Sequence, residues 1–130
     1  MATLTAKLTL VSNDILPSES LSLSAEKAST VLAPAGGISL ALAPASSGTE
    51  ETIKKSATSN QYVYIKHTGK QADGTTSTTN ELIVKFGSVD TIRLKAFEFA
   101  FFPCKSDVLV NIISESSHVI QVEHAFFSAG

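Results

Sequence analysis

Apolar and polar residues alternate along most of the chain, the period-two signature of strands whose successive side chains point to opposite faces. Leu4, Ala6, Leu8 and Leu10 alternate with Thr3, Thr5, Lys7 and Thr9, and Leu21, Leu23 and Ala25 alternate with Ser20, Ser22 and Ser24. Both segments predict half-buried strands with hydroxylated outer faces. Asn13-Asp14 and Pro17-Ser18 punctuate the gap between them, because Asn and Asp tolerate left-handed angles and Pro presets φ. Pro34 to Gly37 makes the next break; Ile38, Leu40 and Leu42 form a third alternating set closed by Pro44, and Ser46-Ser47-Gly48 opens a polar loop. Ala25, Glu26, Lys27 and Ala28 are tolerable helix formers, so a short helix over 24–29 competes with the strand there.

From Thr52 the strand signals sharpen. Tyr62-Val63-Tyr64-Ile65-Lys66 has the aromatic and β-branched composition that suits a pleated, half-buried surface, and it stops at Thr68-Gly69. Lys70 to Asn80 contains Asp73-Gly74, has no apolar residue larger than Ala72, and reads as an exposed loop or hairpin tip. Four more alternating sets follow: Leu82, Val84 and Phe86 up to Gly87; Ile92, Leu94 and Ala96; Val108, Val110 and Ile112; and Ile120, Val122, His124 and Phe126. About eight short strands with turns between them predict an all-β fold, an antiparallel β-sandwich of jelly-roll type. The 130 residues make one domain, in which 1–50 supply N-terminal strands and an arm.

Two segments depart from one-sided alternation. Phe97, Phe99 and Phe101 share one face of their strand while Ala100 and Phe102 occupy the other, and Leu109 and Ile113 oppose Val108, Val110 and Ile112. A two-layer sandwich covers one face of each sheet, so apolar outer faces predict contact with either a loop of the same chain or another subunit, the second being the favoured reading. The expected interface set is Phe97, Phe99, Phe101, Phe102, Leu109, Ile113 and Phe127, with Lys95 and Lys105 as flanking charges that discourage aggregation.

Charged residues are only 17% of the chain, against roughly 25% in an average soluble domain, whereas Ser and Thr together fill nearly a quarter of it. Polarity therefore comes from hydroxyls. A net charge of -2 without basic clustering argues against nucleic acid and anionic membrane as partners, and a hydrophobic share of 43% argues against disorder. Met1 to Leu8 lacks a basic and apolar export signal, and the least polar stretch, Val31 to Ala45, is broken by Pro and Gly. With Cys104 as a lone, reduced cysteine, the expectation is a protein made in a reducing cytosol.

No grouping encodes catalysis, a cofactor or a metal. His67, His118 and His124 lack metal-ligand spacing, and His124 falls in register with an apolar face, as a hydrogen-bonded core histidine would. Glu50 and Glu51 read as solvated charges in a loop. Tyr62 and Tyr64 share one face, which fits either a sugar-stacking platform or cross-strand packing.

The run Tyr62-Val63-Tyr64-Ile65-Lys66-His67-Thr68-Gly69, then Phe97-Glu98-Phe99-Ala100-Phe101-Phe102-Pro103, then Val122-Glu123-His124-Ala125-Phe126-Phe127, resembles small virion structural proteins of tailed phages, especially marine and cyanobacterial ones. Their pattern is Tyr-Ile-Lys-Asn-Thr-Gly, a variable loop, Gly-Glu-Phe-Ala-Phe-x-Pro and a final Val-Glu-Tyr-x-Phe. His67, Phe97 and His124 stand where Asn, Gly and Tyr are usual. The resemblance implies a non-enzymatic virion component assembled in the host cytoplasm: a capsid-decorating subunit that oligomerises, as a trimer or ring, and contacts major capsid or tail proteins. A tail- or neck-attached protein and a carbohydrate-binding host-attachment module are the alternatives.

Overall fold

The structure is a computed structural model that describes residues 2–32, 38–55 and 57–129. The Pro34 to Gly37 break lies outside the described residues. The described residues form ten strands: β1 (Ala2–Ser12), β2 (Leu21–Leu32), β3 (Ser39–Ala43), β4 (Glu51–Lys54), β5 (Gln61–Gln71), β6 (Leu82–Phe86), β7 (Val89–Leu94), β8 (Phe99–Cys104), β9 (Val110–Ser114) and β10 (Ile120–Ala129). All their pairings are antiparallel. The larger sheet runs β1-β2-β10-β5-β8, with β3 also paired to β10, and the smaller runs β4-β9-β6-β7. The fold is thus all-β and antiparallel in two sheets, with ten strands where the alternation predicted about eight. Among the described residues no helix is long and apolar enough to cross a membrane.

Alternation decides which side chains meet between the sheets. Val63 and Ile65 of β5 and Val122 of β10 face Val84 of β6 and Val110 and Ile112 of β9, and all six are fully buried in one core. Burying each such side chain contributes about 1.5–3 kcal/mol. Cys104 is a buried free thiol at the edge of that core, as a small hydrophobe would be.

The helix considered for 24–29 is absent: Ser24 to Ser29 pair in register with Thr9 to Leu4. A continuous ladder with β1 pairs the backbone groups along one edge of the segment and leaves those of the other edge to water, and that pairing outweighs a weak helix propensity. The hairpin has eleven paired positions, but only Ser128↔Leu32 and Ala129↔Val31 join it to β10. Beyond that base it is an arm, with Leu8, Leu10, Val11 and Leu23 all exposed. An isolated two-stranded ribbon is marginal in water.

One further short-range expectation is corrected, and another gains detail. β7 ends at Leu94, and Ala96-Phe97 form a turn. Phe97 adopts φ 71° there, and a Cβ on Gly69 would lie 2.7 Å from its ring, so glycine at 69 (φ 77°) lets the aromatic ring cross the β5 backbone. The Lys70–Asn80 segment is a structured hairpin tip. Lys70 and Gln71 extend β5, Lys70 bridges Ser77, and Thr78 is buried. Asp73 caps it, accepting hydrogen bonds from the Thr76 hydroxyl first and then from the Thr75 and Thr76 amides at 2.9 and 2.8 Å, which hold its carboxyl well below the usual carboxylate range.

Candidate functional site

The two sheets treat their outer faces differently. On the smaller sheet, Ile83 and Ile113 are directly paired, and charged and amide groups surround them. Lys85 Nζ lies 2.9 Å from Glu50 and 3.7 Å from Asp90, and Arg93 bridges Glu81 and Glu115 at 3.3 and 3.2 Å. Asn111 donates to Glu50 at 3.1 Å and to the Gly87 carbonyl at 2.8 Å, while accepting from Thr52 at 2.6 Å. The Glu50 hydrogen bond is the main cause that raises the pKa of Lys85; burial opposes it, and the nearby Glu50 and Asp90 charges add to the rise. Glu50 is therefore part of an ion-pair network and not the free loop charge expected. The network covers a face; it does not set a nucleophile beside a base. Among the described residues no three His, Cys, Asp or Glu side chains gather as a metal site.

The outer face of the larger sheet is aromatic. Register places Tyr62 opposite Phe127 and Pro103, Tyr64 opposite Ala125 and Phe101, and Lys66 opposite Glu123 and Phe99, all on the side away from the core. Tyr62 stacks parallel to Phe101 with ring centroids 6.0 Å apart. Tyr64 donates its hydroxyl to Glu123 at 2.7 Å; burial first, then this hydrogen bond and the Glu123 charge, push its pKa up to about 12.

Continuing the same face through β10 into the arm brings in the apolar side of the ribbon. Leu4, Ala6, Leu8 and Leu10 are registered with Ser29, Lys27, Ala25 and Leu23, while Thr3, Thr5, Lys7 and Thr9 project from the opposite side with Thr30, Ala28, Glu26 and Ser24. The arm curls over the aromatic strands and encloses an open trough of about 850 Å³, with Leu4, Ala6 and Leu8 on one wall and Tyr64, Phe99, Phe101 and Phe127 on the other.

The expected interface residues separate. Phe99, Phe101 and Phe127 lie on this face, together with Tyr62 and Tyr64. Phe102 points the other way, its ring 5.4 Å from Phe86 against the core, because Val63 is its register partner. Phe97 has left the strand for the turn. Ile113 belongs to the smaller sheet, and Leu109 sits in the loop before β9, exposed, with its carbonyl accepting from Gly87 at 2.9 Å. No single surface gathers all seven.

Two buried polar residues escape sequence reasoning. His67, fully buried, accepts from the Gly69 amide through Nδ1 at 2.9 Å, which leaves Nε2 to donate to the Asn80 carbonyl at 2.8 Å. It is thus the hydrogen-bonded core histidine, whereas His124 is half-buried beside Phe126 with Nδ1 enclosed and unpartnered. Burial lowers the His124 pKa. Lys54, only 2% exposed, directs its ammonium at four backbone carbonyls, the closest being Val108 at 2.6 Å and Lys105 at 3.2 Å. Only the chain's return at 105–108 creates that site, so no local signal announces it.

Known protein families, curated proteins and solved structures yield no match to this chain.

Proposed function

We propose that this chain is a non-enzymatic structural subunit of a tailed-phage virion, a jelly-roll-like capsid-decorating protein that works by burying surface against its neighbours. The observation that carries the reading is the contrast between the two outer faces, one covered by ion pairs and the other left apolar from the arm to β8. Exposed apolar area on this scale marks an interaction surface in a folded domain. The resemblance from Tyr62 to Phe127 supplies the virion, and one backbone feature favours it. The turn residue Phe97 has the left-handed φ that glycine prefers, and glycine is what the resembled pattern carries at that position.

Burial and strand pairing require no chemistry, which fits a chain whose titratable groups serve as pins and caps. Assembly in the host cytoplasm suits the single buried thiol. The capsid shell is the expected address, with tail or neck as the alternative. Difference maps of particles made with and without the subunit test this. Density for a β-domain at regular positions on the shell supports the reading; unaltered particles from which the protein is absent refute it. A glycan array adds a second check, since binding abolished by Tyr62→Ala with Tyr64→Ala would make the aromatic face a host-attachment site instead.

A further inference from the structure

The arm's leucines and the aromatic strands wall one open apolar trough, and its two halves differ in shape: a narrow ribbon that curls over and a broad face beneath. We propose that a second copy of this chain covers that surface, the leucine side of one copy's arm lying on the aromatic face of the other. This rests on the assembly reading above and names the contact it would use.

Area supports a second copy. Eleven paired positions at about 3.3 Å per residue make a ribbon face roughly 35 Å long and 10 Å wide, about 350 Å². A reciprocal pair of such contacts, counting both sides of each, buries about 1,400 Å², within the range of specific interfaces of about 1,200–2,000 Å². Each copy offers one arm and one face, so the contacts close as a two-fold dimer with that area, or as a ring in which each interface holds half of it. Charge points the same way. On the leucine side of the arm the charged residue is Lys27, and on the aromatic face Lys66 and Glu123 sit directly opposite each other, so the surface is nearly neutral and selects neither an anionic nor a cationic partner. Finally, the arm is tethered by two residue pairs and gains the packing that a bare ribbon lacks when its leucines are covered.

Cross-linking between two full-length batches of different mass provides the test, one carrying Leu8→Cys and the other Phe99→Cys. These positions are 47% and 63% exposed, so the fold tolerates the changes, and Cys104 stays buried. The expected result is a mixed-mass disulfide product in at least tenfold excess over that from Thr9→Cys, on the hydroxyl side of the arm, paired with Phe99→Cys. Native mass spectrometry gives an independent readout. Leu23→Asp is expected to weaken assembly at least tenfold, and Ser24→Asp, on the opposite side, to leave it unchanged. Oligomers that form without the mixed product and ignore Leu23→Asp would overturn the arm-on-face contact while leaving the structural-subunit reading intact. A monomer that still decorates particles would do the same, and a monomer that binds no particle would remove both.

Discussion

Replacing Lys54 by Met keeps the buried stem and deletes the ammonium. The wild-type Nζ donates to the Val108 and Lys105 carbonyls at 2.6 and 3.2 Å, with Ser106 and Lys55 carbonyls at 3.4 Å, and so ties β4 to the 105–108 turn between β8 and β9. Charge-assisted hydrogen bonds contribute about 1.5–3 kcal/mol each. Two good ones are lost, while Met escapes part of the desolvation cost that a buried ammonium carries. The expected net loss is about 3 kcal/mol, equivalent to a Tm lowered by roughly 10 °C in a domain of this size. Urea unfolding measures it as a lower midpoint at unchanged m. Lys55→Met, at the exposed neighbouring position, is the control and should stay within about 0.5 kcal/mol of wild type. A Lys54→Met variant within about 1 kcal/mol of wild type would show that the carbonyl cage does not hold the turn.

The remaining predictions concern single groups. Gly69→Ala forces a left-handed φ on a residue with a Cβ and displaces the Phe97 ring, at a cost of about 1–3 kcal/mol; urea unfolding of the double variant with Phe97→Ala should recover the ring's share but not the backbone's. His124 has a lowered pKa, so the unfolded chain binds its proton first as pH falls. Stability should therefore be unaffected by this group above about pH 6.5 and decline from there through the lowered value. His124→Phe should flatten that part of a Tm-versus-pH profile, and an identical profile would contradict the assignment. Alkaline spectrophotometric titration should find Tyr64 ionising near 12; Glu123→Gln should bring it part of the way back, since burial is the larger cause.

Local pattern carried much of the fold. The Thr/Leu alternation of β1 and the aromatic run of β5 both become strands; in β5 the side-chain period reports directly on which face is buried, whereas β1, expected to be half-buried, stands in the arm with Leu8 and Leu10 exposed because its ladder partner is β2 alone. Residues 24–29 misled because Ala, Glu and Lys are permissive in both states and the deciding partner, β1, lies across the hairpin. Phe97 misled because a turn interrupted an apolar run that itself alternates well. Within the aromatic site, Phe99 and Phe101 were legible from spacing, as was the shared face of Tyr62 and Tyr64. That these pairs occupy one face, with Phe127 beside them and the arm above, depends on β5 lying between β8 and β10, a long-range pairing that no window of sequence contains. Lys54 and His67 share that cause: their partners at 105–108 and at Asn80 are brought in by the fold.

The hydroxyl-rich composition gains a position from the structure. Thr3, Thr5, Thr9, Ser22 and Ser24 line the side of the arm opposite its leucines, so the ribbon is amphipathic with little charge. Such a ribbon is suited to lie between a partner and solvent, since uncharged hydroxyls carry a smaller desolvation cost than ions. The account's central claim is that a second copy of this chain covers this surface. Sedimentation velocity of the unmodified chain, from submicromolar to tens of micromolar, tests it most directly. The account predicts an oligomer that accumulates with concentration and is held by the arm and aromatic face; a sharp monomer boundary across the whole range would contradict it.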